Sequence, residues 1–564
     1  MDFLRRKRQV FVFYFFAAAF SLIIYQLWTI QVRDGERFVG MALDQVSRSV
    51  SLEEVPRGRI LDRNLNPLHG EALEKRVVLF PVLVEDKNAA ANALGAILKT
   101  DPAVLETCFK GGPCILPNSV SEEDSAEIAR LGLKGVLALS VRARYGERPL
   151  AAQVTGHLGR IASVEEYETL SREGKKTYHF NDLVGKSGLE LIYEQELKGV
   201  RPKSAVRLYS DATGHPLAGE PEMVENILDK ERRDLVLTID AGIQKKVEEI
   251  MDRRVAKGSV VVMEAGGGDI LAMASRPAYN PGRPEEGLMV ADGDRFFDHC
   301  TALYQPGSVF KVVVAAAALE EGLVTTETEF TCSGEKEDLI PCWFRTGHGK
   351  ISFDRAFYES CNPVFARLAL QLGAPKLIEY ARRMGLGSQQ ITGYPVVPDE
   401  RQNLELIGAP DNLVNSSVGQ GPVLTTPLQV AAMINTVASG GTFHTPRLAQ
   451  ALLGEDGRTA RRFDPGEGRP ALAPATTRTL QHLLEMTTAE GVGREGYVPV
   501  FGSAGKTGSA QLSGEKHQVN AWFAGYAPLA GPRYVVTVLV EEGVSGGESA
   551  APVFKEIIEG ILVE

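Results

Sequence analysis

The chain has 564 residues, 44% of them hydrophobic and 24% charged, with a formal net charge of −11. That length exceeds a single core, so two or more folded units are expected, and the composition excludes wholesale disorder. The acidic balance, with no long basic stretch beyond the first ten residues, argues against nucleic-acid binding.

The N-terminus opens with Arg5, Arg6, Lys7 and Arg8, and no further charge follows until Arg33. Val10 to Val32 is long enough to cross a hydrocarbon core of about 30 Å as a helix. The basic cluster keeps residues 1–9 cytoplasmic and sends everything after residue 32 outside, with Trp28 suited to the outer interface. A cleaved signal peptide is the rival reading, on Ala17-Ala18-Ala19. The apolar run continues past that point through Leu22, Ile24, Leu27 and Ile30, which favours an uncleaved anchor.

Residues 33–235 are polar and weakly periodic, with strand-like runs such as Arg76 to Val84 and turn-rich gaps such as Lys110 to Pro113. A second region, residues 236–564, begins near the strand signal Leu235 to Ile239 and a helical stretch, Ile243 to Val255. Gly258 to Met263 and Asp269 to Ser275 flank a glycine turn and read as a hairpin. Asn520 to Tyr526 and Tyr534 to Glu541 read as another strand pair, and Ala551 to Ile561 as a closing helix. The stretch from Phe310 to about Leu483 is mostly helical in pattern, including Leu428 to Val437. Strands at both ends with helices between predict an α/β domain whose sheet is closed by distant segments.

Three motifs carry chemistry. Ser-x-x-Lys on a helix puts hydroxyl and amine on one face, where a desolvated lysine can act as base for the serine. It occurs at Ser308/Lys311, Ser333/Lys336 and Ser513/Lys516. Only Ser308 follows a Pro306-Gly307 turn and opens an apolar run, Val309 to Leu319; the other two read as solvated loops. Taken alone, Ser308 is equally a plain N-cap. Ser360 is the one serine followed two positions later by asparagine, Asn362, a hydroxyl for proton transfer beside an amide for orienting a substrate. It too could be a cap. Lys506-Thr507-Gly508, before the strand-like Ser509-Ala510-Gln511, offers a cationic, hydrogen-bonding seat for a carboxylate, with a glycine permitting close approach. Its bland reading is a turn, as at the decoy Arg345-Thr346-Gly347.

In this order the three motifs resemble those of the serine penicillin-recognising superfamily. The resemblance implies a serine β-lactamase-like transpeptidase domain (α+β), with an antiparallel sheet flanked by helices. It also implies Ser308 as acylated nucleophile, Lys311 as its base, Ser360 as proton relay and Asn362 as holder of the peptide donor. Lys506 and Thr507 would bind the substrate carboxylate, and the N–H groups of Ser308 and Ser509 would form the oxyanion hole. Arg57 to Asn64 (RGRILDRN), Gly185 to Gly199, Gly419-Gln420-Gly421 with Thr426 to Gln429, and Trp522 to Pro528 are similar to class B penicillin-binding proteins. Leu65 and Val309 depart from that pattern, at positions of no chemical consequence. No region resembles a glycosyltransferase domain.

The resemblance therefore implies three parts. They are an anchor, an elongated non-catalytic pedestal (dimerisation-like) over 33–235, and a transpeptidase domain over 236–564. The expected activity is D,D-transpeptidation of D-Ala–D-Ala stem peptides outside the cytoplasmic membrane, inhibited by β-lactams. The expected partner is a glycosyltransferase of the SEDS (shape, elongation, division, sporulation) family, in an elongation or division complex. Cys332, Cys342-Trp343, His348-Gly349 and Ser360-Cys361-Asn362 are more similar to elongation (rod-shape, penicillin-binding protein 2) members than to septal ones, with septal and sporulation-specific forms as the alternatives. A D,D-carboxypeptidase or β-lactamase and a non-enzymatic β-lactam sensor or scaffold are the alternatives.

Six cysteines invite disulfides, with Cys108–Cys114 and Cys332–Cys342 as nearest pairs. Cys332, Cys342, His348 and Cys361 also make a donor set for tetrahedral structural zinc. Some elongation-type relatives resemble this, with acids in place of cysteines. No cofactor is expected in catalysis.

Overall fold

The computed structural model describes residues 2–33, 47–174, 176–209, 222–225, 227–288, 293–511 and 518–563. The Ser513/Lys516 tetrad lies outside them. Helix α1 (Asp2–Trp28) runs into a π-helical turn, Thr29–Arg33. Its residues 10–33 are long and apolar enough to cross a membrane, roughly 36 Å at 1.5 Å per residue.

The chain forms two compact units, residues 1–56, 73–143 and 201–228 in one, and residues 57–72, 144–200 and 229–564 in the other. The first unit carries two three-stranded sheets. In one of them the strand Ala72–Leu79 ends where Pro81 begins a 3₁₀ turn, Pro81–Leu83. The strand-like run to Val84 is thus cut short, because proline has no N–H to extend a ladder. Val77, Leu79, Leu94, Phe109 and Leu116 form its core.

Segments 57–72 and 144–200, which the sequence pattern groups with the pedestal, pack in the second unit. A buried charge cluster joins the two segments to each other. Arg57 Nε donates to Glu190 Oε2 at 2.6 Å, and Arg144 Nε donates to Glu190 Oε1 at 2.8 Å. Arg57 also pairs with Glu194 at 2.7 Å, and Glu190 is 0% exposed. Burial by itself raises the Glu190 carboxyl, but the Arg144 and Arg57 guanidiniums hold it at about 2.

The rest of this unit is built on a five-stranded antiparallel sheet. Its strands are β1 (Gly258–Glu264), β2 (Ile270–Arg276), β3 (Ala504–Gln511), β4 (Val519–Ala527) and β5 (Tyr534–Gly543), in the order β2-β1-β5-β4-β3. Both hairpins read from the sequence form, β1 with β2 and β4 with β5. Alternation divides the strand side chains between two cores. Val260, Val262, Val536 and Val538 pack with α2 (Ala241–Arg254) and α7 (Ala551–Leu562). Val261, Met263, Val535 and Leu539 face the core containing α3 (Lys311–Glu320), α4 (Asn362–Arg383, broken at Gly373), α5 (Pro427–Ala438) and α6 (Pro474–Ala489). Buried on both faces, these strands read as continuous apolar runs.

Replacing Glu190 by glutamine removes the buried carboxylate charge that Arg57 and Arg144 share, leaving Arg57 with Glu194. The expected loss is about 3–5 kcal/mol of stability, measured by urea unfolding of the ectodomain; an unchanged midpoint would show that the cluster does not hold segments 57–72 and 144–200 together.

Candidate active site

Ser308 lies in a short 3₁₀ turn, Gly307–Phe310, that leads into α3 rather than in the α-helix itself. The turn sits against the edge strand β3. A Cβ on Gly508 would lie 2.5 Å from Pro306 O, and one on Gly307 would lie 3.1 Å from Ser509 N. Gly307 N donates to Gly419 O at 3.0 Å, and a Cβ on Gly419 (φ +70°) would come within 2.0 Å of Gly307 O. Glycine at 508 and 419 is thus what lets strand and loop close on the turn. Gln305 Nε2 donates to Gly421 O at 2.8 Å, and Trp522 Nε1 on β4 donates to Gln305 O at 3.0 Å.

Lys311 is fully buried, and its Nζ donates to Ser360 O at 2.8 Å, Ser360 Oγ at 3.2 Å and Asn362 Oδ1 at 2.7 Å. Lys506 on β3 is also fully buried, and its Nζ donates to Ser360 Oγ at 3.0 Å. The Phe365 ring lies 5.4 Å from Lys311 Nζ, and the Phe357 ring 5.9 Å from Lys506 Nζ. Desolvation brings the Lys311 ammonium down to about 7. Desolvation, with Lys311 alongside, puts Lys506 well below its ordinary value.

Ser360 has a left-handed backbone, φ +54°, and Asn362 starts α4 with Pro363 behind it. Asn362 Nδ2 donates to Pro341 O at 3.2 Å. Thr507 and Gly508 are buried, while Ser509 is exposed, its Oγ accepting from Gly546 N at 3.0 Å. Five of the predicted residues, Lys311, Ser360, Asn362, Lys506 and Thr507, therefore meet beside the Ser308 turn. The decoys do not join them: Ser333 and Lys336 are exposed around a 3₁₀ turn, and Arg345-Thr346 are exposed. Sequence reasoning missed Phe357, Phe365, Gln305 and Gly546. The first two lie on separate helices either side of Ser360, in apolar surroundings that mark them only as core.

Cys332, Cys342, His348 and Cys361 come together, their donor atoms all within 4.8 Å of one another. All six cysteines are free thiols. The hydrogen bond from the Cys361 thiol favours the Cys342 thiolate. His348 Nε2 is buried without a partner among the described residues. Three soft sulfur donors and an imidazole with a spare ring nitrogen fit a zinc ion.

The description "Penicillin binding protein transpeptidase domain" matches residues 258–559, and "Penicillin-binding Protein dimerisation domain" matches residues 52–225. Stage V sporulation protein D of Bacillus subtilis is 30% identical, over 99% of this chain and 86% of its own length. The peptidoglycan D,D-transpeptidase MrdA of Haemophilus influenzae is 25% identical, over 80% of this chain and 74% of its own. A chain from a solved peptidoglycan synthase complex, described for its coordination of polymerization and crosslinking, superposes with a TM-score of 0.71. It is 26% identical, over 98% of both chains. With both domains matched and the three motifs brought together around Ser360, the chain belongs to the penicillin-binding protein transpeptidase family.

Proposed function

We propose that this chain, a peptidoglycan D,D-transpeptidase, cross-links stem peptides through an acyl-enzyme on Ser308. The observation that carries the assignment is the convergence of two buried lysines on Ser360 Oγ beside the Ser308 turn. Ser308 Oγ attacks the carbonyl carbon of the penultimate D-Ala, and its proton passes to Lys311, which burial holds ready to accept it. The N–H groups of Ser308 and Ser509 stabilise the oxyanion; losing one such donor typically costs on the order of 10²–10³ in rate. Collapse breaks the peptide bond, and the departing D-alanine amine takes a proton through Ser360. The amine of a neighbouring stem then attacks the ester and releases Ser308. Asn362 orients the donor peptide. Lys506, aimed at Ser360 Oγ, supports the relay, and Thr507 meets the substrate carboxylate. β-Lactams acylate the same serine.

Arg5 to Arg8 before the apolar helix support an orientation with the N-terminus inside and the catalytic unit outside the cytoplasmic membrane. Residues 33–235 serve as a non-catalytic pedestal, of which segments 57–72 and 144–200 pack within the second unit. The likeness to a chain from a synthase complex supports a SEDS-family glycosyltransferase as partner, in elongation or division. Cys332, Cys342, His348 and Cys361 hold a structural zinc that braces the Ser360 loop and takes no part in the chemistry.

Three measurements check this reading. Fluorescent penicillin is expected to label the purified ectodomain and persist, with no label on Ser308→Ala. Rapid clearing of the adduct would instead favour the hydrolase, and no adduct in folded protein would favour the scaffold. The acylation rate is expected to rise with pH around pH 7, as Lys311 loses its proton; a flat profile from pH 5 to 9 would remove Lys311 as the base. Elemental analysis is expected to find one zinc per chain, lost in Cys361→Ser. A metal-free protein with a Cys332–Cys342 bridge would sink the zinc assignment.

A further inference from the structure

The stretch before Ser308 is fastened to the body of the sheet as well as to the neighbouring loop. Tyr304 exchanges both backbone hydrogen bonds with Thr425, each 2.8 Å, and its ring meets Trp522 edge-on at 6.2 Å. The Tyr304 hydroxyl donates to Glu541 Oε1 at 2.7 Å, on the central strand β5. His299 Nδ1 lies 2.7 Å from the same carboxylate oxygen and 2.6 Å from Tyr304 Oη. His299 Nε2 is buried without a partner among the described residues, and Nδ1, facing a carboxylate oxygen, is the ring's donor. One carboxylate oxygen thus takes two donors, and the three side chains close a triangle. Lys257 Nζ lies 3.5 Å from the other oxygen, Glu541 Oε2.

We propose that Tyr304 is a positioning residue for acylation, its hydroxyl in the His299–Glu541 triangle holding the Ser308 turn at a fixed offset from the edge strand of the same sheet. This rests on Ser308 as the acylated nucleophile. Glu541 belongs to β5, which pairs with β4, which pairs with β3, the strand that carries Lys506 to Ser509. Tyr304 and Trp522 therefore tie the turn to two strands of the sheet whose edge supplies Ser509 N. Both halves of the oxyanion hole are in this way referred to one rigid body.

Burying a phenol, an imidazole and a carboxylate together is costly unless each is hydrogen-bonded, and apolar packing would stabilise the core as well. What the triangle adds is direction. Burial by itself raises the Glu541 carboxyl, but the hydrogen bonds from His299 and Tyr304 hold it below the usual carboxylate range, so it remains the acceptor.

The test uses the full-length protein in detergent, with penicillin acylation followed by stopped flow and separated into pre-acylation binding and the acylation step. Tyr304→Phe keeps the ring on Trp522 and removes the hydroxyl. It is expected to slow the acylation step about tenfold or more, on the scale of a sub-ångström misplacement, with binding and melting temperature little changed. Glu541→Gln, which keeps an acceptor oxygen, is expected to retain most of the rate where Glu541→Ala does not. Combining Tyr304→Phe with Glu541→Ala should slow the step no further than either change alone. An unaltered acylation step in Tyr304→Phe overturns the proposal, as does a loss that tracks melting temperature or adds in the double variant. Failure of the unaltered protein to acylate at Ser308 would sink the Ser308 assignment first and this one with it.

Discussion

Two fully buried lysines share one serine hydroxyl, and the rest of the site is arranged to make that possible. Among the described residues neither Lys311 nor Lys506 pairs with a carboxylate; their nitrogens face Ser360, Asn362 and the rings of Phe365 and Phe357. An ammonium loses its hydration when buried, and a second one nearby raises the cost again. At least one of the pair is therefore driven toward the neutral amine, which is the form that accepts a proton. A carboxylate partner would reverse this by stabilising the charge, so its absence from these contacts is part of the chemistry.

Keeping the pair buried requires segments far apart in the chain to close tightly. Ser360 and Lys506 are 146 residues apart, yet their side chains are hydrogen-bonded. Closure is achieved largely by backbone against backbone. Gly508 makes room for Pro306 O, Gly419 for Gly307 O, and Gly546 for the carbonyls of Gly508 and Trp522, each at a distance no Cβ could share. The glycines around the site are thus spacing devices, and flexibility is the lesser part of their role.

Much of this was legible in the sequence, for a physical reason. Strands buried on both faces must be apolar throughout, so GSVVVM, NAWFAGY and YVVTVLVE announce themselves, and the three motifs each need particular residue types at short range. Long-range electrostatics leave no such local trace. Arg57 and Glu190 are 133 residues apart, and nothing in either neighbourhood says that segments 57–72 and 144–200 belong with residues 229–564. Side-chain direction was equally hidden. Ser-x-x-Lys spacing places Lys311 near Ser308, but only the fold shows its three hydrogen bonds going to Ser360 and Asn362. Glu541 closes an apolar strand run, and nothing in that run announces its contacts with Tyr304 and His299.

Ser360 itself shows why its surroundings are so dense. A serine at φ +54° sits in a conformation that costs of order 1 kcal/mol or more and persists only where neighbours over-determine it. Its N–H donates to Phe357 O and the next N–H, that of Cys361, to Ala356 O, while its carbonyl accepts from Lys311. Cys361 continues from there into the four-donor cluster, and Trp343, next to Cys342, donates through Nε1 to Glu359 O. The strained residue is therefore clamped by backbone groups outside the reaction as well as by Lys311 within it. Cys361 thus links the Ser360 backbone directly to the four-donor cluster.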